Sequence, residues 1–210
     1  MTTVRVKICG ITNKEDALNA VDFGADALGF IFHRSSPRYV DPQCAAEIVK
    51  SLPPFVNKVG LFVNEEANNI KQVISMTGID LLQFHGEEEE SFCSSFNRPW
   101  IKAIKVREAI NFLDEIGRFP SASAVLFDSD DGLLAGGTGK SFEWSLIPVS
   151  SSKPIIVAGG LIPSNVQQAI KVAKPYAVDV CSGVEGKKGK KNTNKMKEFI
   201  SQAKKRELYV

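Results

Sequence analysis

The chain has 210 residues, 43% of them hydrophobic and 24% charged, with a formal net charge of +2. That balance suits one globular domain over residues 1–210 with a sizeable core, and so small a charge gives neither nucleic acid nor an anionic membrane a reason to be the main partner. Cys9, Cys44, Cys93 and Cys181 are scattered without a C-x-x-C pair and are joined by only His33 and His85, so neither a zinc or other metal site nor a disulfide scaffold is expected.

The first residues, MTTVRVKICGIT, contain no apolar leader core, and no window reaches membrane-spanning length, which predicts a cytoplasmic protein. In chain order, apolar β-rich runs alternate with amphipathic segments. A strand over 4–9 precedes a helix over 14–23, and a strand over 27–32 precedes a helix over 42–52. The strand 56–63 leads to a helix at 65–76, with Asn64 as its expected cap. The strand 80–84 leads to 87–96, where the acidic run Glu87 to Glu90 suits a helix N-terminus. Strands over 100–106, 124–128, 154–158 and 177–181 alternate with helices over 107–116, 141–147, 164–173 and 193–204. The basic run Gly186 to Lys191 reads as a solvated loop. Eight such units predict an α/β fold, a (β/α)8 TIM barrel. A doubly wound open sheet is the alternative, disfavoured by the number of strands.

The stretch DDGLLAGGTGKS, residues 130–141, ends like a P-loop. A P-loop needs glycine five residues before Gly139, because its chain must curl until successive N–H groups face the phosphates. That position is Leu134, and Pro148 cuts short the helix that should follow. Gly136, Gly137 and Gly139 are better read as hinges of a loop that folds over a bound ligand. No long apolar surface stripe is evident, so a monomer is expected.

In a barrel of this kind chemistry gathers at the C-terminal strand ends. The first strand delivers Cys9, and alternation places Lys7 inside the barrel beneath it, with Val6 and Ile8 facing the helices. A cation there favours the thiolate, so Cys9 is expected to transfer protons, a small buried hydrophobe being the alternative. The sixth strand points Asp128 over the mouth; a turn cap is the alternative, and Cys9 at the same rim and a phosphate site close by weigh against it. The seventh and eighth strands run into Gly159-Gly160 and Ser182-Gly183, residues small enough for an anion to reach the backbone N–H groups, which predicts a phosphate site.

The segments VKICGIT (6–12), SPRYV (36–40), LQFHG (82–86), LFDS (126–129), GGTGKSFEW (136–144), AGGL (158–161) and VDVCSGVE (178–185) together resemble the phosphoribosylanthranilate isomerase family of tryptophan biosynthesis. Two departures are local. Arg34-Ser35 stands where the family often has proline, and Asn192 replaces a helix-capping Asp, a role it fills equally well.

The resemblance implies a small phosphorylated substrate, N-(5'-phosphoribosyl)anthranilate, which undergoes an Amadori rearrangement to the 1-deoxyribulose 5-phosphate. It implies Cys9 as base, Asp128 as acid, Arg38 and Asp179 at the anthranilate end, and His85 in the pocket wall. No cofactor is implied, because no redox step occurs. A metal-dependent sugar-phosphate epimerase would need paired histidines and aspartates that two histidines do not supply. A silent metabolite sensor would need only the phosphate loops.

Overall fold

The protein is represented by a computed structural model that describes residues 3–106, 110–129, 143–148 and 150–205. The eight apolar runs form parallel strands: β1 (Arg5–Ile8), β2 (Ala27–Ile31), β3 (Asn57–Phe62), β4 (Leu81–Phe84), β5 (Trp100–Val106), β6 (Ala124–Ser129), β7 (Ile155–Val157) and β8 (Ala177–Val180). Each pairs with its neighbours in sequence order, and β8 pairs back onto β1 from Arg5–Ala177 to Ile8–Val180, closing a barrel. That pairing excludes the open sheet, which would leave two edges.

Strand alternation decides which side chains enter the barrel. Val6, Ile8, Phe30, Phe62, Phe84 and Phe127 lie in the layer between strands and helices. Lys7, Gln83, Lys102 and Asp179 are buried polar residues, and beside them Ile101, Leu126 and Ile156 form a smaller inner cluster. The predicted inward Lys7 is therefore found, and its charge is met by Asp179.

The outer ring consists of α1 (Lys14–Asp22), α2 (Pro42–Lys50), α3 (Ala67–Thr77), α4 (Glu90–Cys93), α5 (Phe112–Gly117), α6 (Val166–Ala173) and α7 (Thr193–Lys204). No helix among the described residues is long and apolar enough to cross a membrane.

Several predicted boundaries shift for identifiable reasons. Asn64 does not cap α3, which starts after Glu66. It sits in the left-handed region at φ 48°, and its Oδ1 accepts from Glu87 N–H at 2.7 Å. The acidic run does not simply open α4 either. Glu88 turns inward, pairs with Lys102 Nζ at 2.8 Å and accepts the N–H groups of Asn64 and Gly86 at 2.7 and 2.9 Å. The sixth predicted helix appears, among its described residues, as one 3-10 turn, Trp144–Leu146, which Pro148 follows.

The basic run after β8 is not wholly solvated. It forms a two-stranded hairpin, β9 (Glu185–Lys187) and β10 (Lys190–Lys191), and Lys191 is buried. Directly after it, Asn192 caps α7, its Oδ1 accepting from Lys195 N–H at 3.0 Å. Asn192→Ala removes that acceptor and should lower stability by about 1 kcal/mol. Urea unfolding would show this as a lower midpoint with an unchanged slope.

Candidate active site

A cavity of about 280 Å³ opens where the strands end, lined by residues that include Cys9, Arg38, His85, Asp128 and Asp179 together with Gly159, Gly160, Ser182 and Gly183. Nine residues scattered from position 9 to 183 thus meet at one place, as the sequence predicts. The predicted hinges Gly136, Gly137 and Gly139 lie outside the described residues.

Cys9 follows β1 directly and is buried, its N–H donating to Val180 O at 2.9 Å. On β2, Gly29 makes room for it: a Cβ there would meet Cys9 Sγ at 2.7 Å and Lys7 Cε at 3.0 Å. Lys7 Nζ contacts Asp179 Oδ2 at 2.7 Å inside the barrel. The Cys9 thiol is held well below its ordinary value, chiefly by a hydrogen bond from the thiol of Cys181, the residue after the neighbouring β8. Burial opposes this shift, and the charges of Lys7 and Lys191 reinforce it. Burial likewise pushes the Asp179 carboxyl up to about 7 against the pull of Lys7, with the nearby Cys9 charge adding to the rise. Asp179 lines the same cavity as the thiol, and its Oδ1 is buried without a partner among the described residues.

Asp128, near the end of β6, is partly buried, with Oδ2 3.3 Å from His85 Nε2. Its other oxygen packs on the loop after β7. A Cβ on Gly159 would sit 2.6 Å from Asp128 Oδ1, and the residue adopts φ 78°, so glycine is required there on both counts. Among the described residues the amides of Gly160 and Gly183 donate to no protein acceptor, which leaves them available to an anion.

Arg38, implied at the anthranilate end by the resemblance, does not present a free guanidinium fork to the cavity. Its Nε and Nη2 donate to the two carboxylate oxygens of Glu185 at 2.8 and 2.9 Å. This pairing raises Arg38 above its ordinary value, and Arg38 with Lys191 holds the Glu185 carboxyl below its own against the effect of burial. Only the Nη1 side remains for a ligand.

Lys191, Glu185 and Cys181 form a support that sequence reasoning missed. Lys191 Nζ reaches Cys181 O at 3.0 Å, Cys181 Sγ at 3.8 Å and Glu185 Oε1 at 3.4 Å. In a run of four lysines nothing marks one as buried; the mark available is its position one residue before the Asn192 cap, which fixes it to the start of α7. His33, to which the second strand leads, and Ser36 also line the cavity.

Fold and site together define a (β/α)8-barrel enzyme in which a thiol, a carboxyl and two glycine-bearing loops face one cavity. A family profile described as N-(5'phosphoribosyl)anthranilate (PRA) isomerase matches residues 6–202, and the chain belongs to that family. It is 53% identical over 200 residues to N-(5'-phosphoribosyl)anthranilate isomerase of Marinomonas sp. (strain MWYL1), covering 95% of this chain and 98% of the relative. The crystal structure of phosphoribosyl anthranilate isomerase from Thermotoga maritima superposes with a TM-score of 0.89 at 44% identity, covering 96% of this chain and 98% of that one. A crystal structure of the enzyme in complex with reduced 1-(o-carboxyphenylamino)-1-deoxyribulose 5-phosphate gives a TM-score of 0.86 at 42% identity, again over 96% of this chain and 98% of that one.

Proposed function

We propose that the family reaction, the Amadori rearrangement of N-(5'-phosphoribosyl)anthranilate to 1-(2-carboxyphenylamino)-1-deoxyribulose 5-phosphate in tryptophan biosynthesis, runs in this cavity between Asp128 as acid and Cys9 as base. Asp128 gives a proton to the ribose ring oxygen as the bond from that oxygen to C1' breaks, and the anthranilate nitrogen supplies the electron pair that forms the Schiff base. Cys9 thiolate then takes the C2' proton to give an enol-amine, which tautomerises to the aminoketone. The observation that carries this reading is the pairing, on one cavity, of a thiol held low by a neighbouring thiol and two cations with a carboxyl anchored by His85.

The substrate phosphate is assigned to the backbone of Gly159, Gly160, Ser182 and Gly183, and the anthranilate carboxylate to Arg38 Nη1. The unpartnered Oδ1 of Asp179 accepts from a substrate N–H or hydroxyl beside Cys9, and His85 meets the ligand at the edge of Asp128. The loop bearing Gly136, Gly137 and Gly139 is assigned the closing role. A monomer is the proposed working state, since the sequence shows no long apolar surface stripe. A cytoplasmic location suits a reactive thiol that must stay reduced.

The test is a fluorescence assay of substrate loss with added inorganic phosphate as competitor. Arg38→Met removes a charged hydrogen bond and should raise KM by about 10- to 100-fold, the equivalent of about 1.5 to 3 kcal/mol, while inhibition by inorganic phosphate stays unchanged. Equal weakening of phosphate inhibition would remove Arg38 from the anthranilate end.

A further inference from the structure

We propose that Gln83 is a positioning residue for the isomerisation: its side-chain amide fixes His85 as the Nε2–H tautomer, and that N–H holds the Asp128 carboxyl over the cavity. The inference rests on Asp128 being the acid.

Gln83 lies on β4 with no exposed surface, paired in register with Leu61 on one side and Ile101 on the other. A primary amide between apolar neighbours costs stability unless both its ends find partners. Here Oε1 finds none among the described residues, so an aliphatic residue of the same size would suit this layer better. What the amide provides is its other end: Nε2 stands 3.2 Å from His85 Nδ1. Residues 83 and 85 are two apart along the strand direction and so share a face, and His85 N–H donates to Phe62 O at 2.9 Å, which anchors the backbone beneath the ring.

An amide N–H directed at Nδ1 requires a lone pair there, so the neutral ring carries its proton on Nε2. Nε2 lies 3.3 Å from Asp128 Oδ2, and the chain Gln83 to His85 to Asp128 then has a donor facing an acceptor at every step. Turning the amide over would place Oε1 against Nδ1–H, and the Nε2 lone pair would face a carboxylate oxygen unless the ring gained a second proton. With Nε2–H in place, Oδ2 is held from the histidine side. Oδ1, on the Gly159 side, is left to carry the proton to substrate, and the carboxylate that results is stabilised by the same N–H.

Because His33 and His85 are the only histidines in the chain, nitrogen-15 spectra of the imidazoles can be assigned with one His33→Asn control. Recorded at about pH 8, above the ordinary histidine range, wild-type His85 should show the Nε2–H pattern. In Gln83→Met the pattern should collapse towards a tautomer mixture, with kcat down by about 10- to 100-fold and KM within about twofold. Gln83→Glu offers only acceptors and should convert His85 to the doubly protonated or Nδ1–H form without restoring kcat. A wild-type spectrum of the Nδ1–H or doubly protonated form overturns the proposal, even if neither variant folds. So does an unchanged tautomer in Gln83→Met, whatever its activity. Retained activity in Asp128→Asn would instead remove the acid assignment and leave the tautomer result standing.

Discussion

Cys9→Ala should lower kcat by about 10²- to 10⁴-fold, the typical worth of one positioned proton-transfer group, while the reduced product analogue still binds and the unfolding midpoint stays close to wild type. The substitution removes one small buried side chain from a minor cluster with Ile31 and Leu61, outside the main core, so a loss of activity without a loss of fold is the expected separation. Near-normal kcat in Cys9→Ala would end its assignment as base.

The pH profile tests why this thiol can serve. Its folded value is depressed, so the thiolate is already formed well below the ordinary thiol range, and kcat/KM should fall only as pH drops through that lowered value. Cys181→Ala deletes the hydrogen bond that contributes most to the depression. The thiolate is then less favoured, and the acid limb of kcat/KM should move to higher pH, with the plateau rate recovered once Cys9 ionises. Lys7 and Lys191 remain in that variant and limit the movement. A limb in the same place would show that the two cations hold the thiolate without help from Cys181.

The parts of this molecule that were legible in its sequence are those set by periodicity and local chain chemistry. Period-two alternation alone puts Lys7 under Cys9, and the eight apolar runs give the barrel because a strand's apolar face has to be covered. The parts that were not legible depend on partners far along the chain. Glu88 in an acidic run and Lys191 in a basic run look like solvent-facing charges until the fold brings Lys102 and Glu185 within 3.4 Å of them. The pairing that occupies one side of the Arg38 guanidinium is invisible for the same reason, since Glu185 lies 147 positions away. Local rules also misplaced the Asn64 cap. Its side chain is used across the barrel rim, on Glu87, and long-range bonding of that sort outweighs a capping preference worth about 1 kcal/mol. The catalytic candidates escaped this limit because strand ends on one rim of a closed barrel must converge, whatever their separation in sequence.

Asp128→Asn should match Cys9→Ala in severity, about 10²- to 10⁴-fold in kcat, yet fail at a different step. The amide has nearly the carboxylate's shape and its oxygen can still accept from His85 Nε2–H, so the cavity wall and ligand affinity should survive. What it cannot do is give up a proton to the ribose ring oxygen. Ring opening then limits the rate, and the later removal of the C2' proton no longer does. With substrate deuterated at C2', the Asp128→Asn enzyme should therefore show little or no primary isotope effect on kcat. The Cys9→Ala enzyme should show a large one, because its residual turnover waits on a weaker base, such as water, at that same C–H bond. An exchange of the two signatures would reverse the roles and make Asp128 the base. A full isotope effect in both variants would place both groups at the C2' proton and leave ring opening to another residue. The experiment reads the order of bond breaking directly, so it separates the roles of two residues whose single substitutions are otherwise expected to look alike.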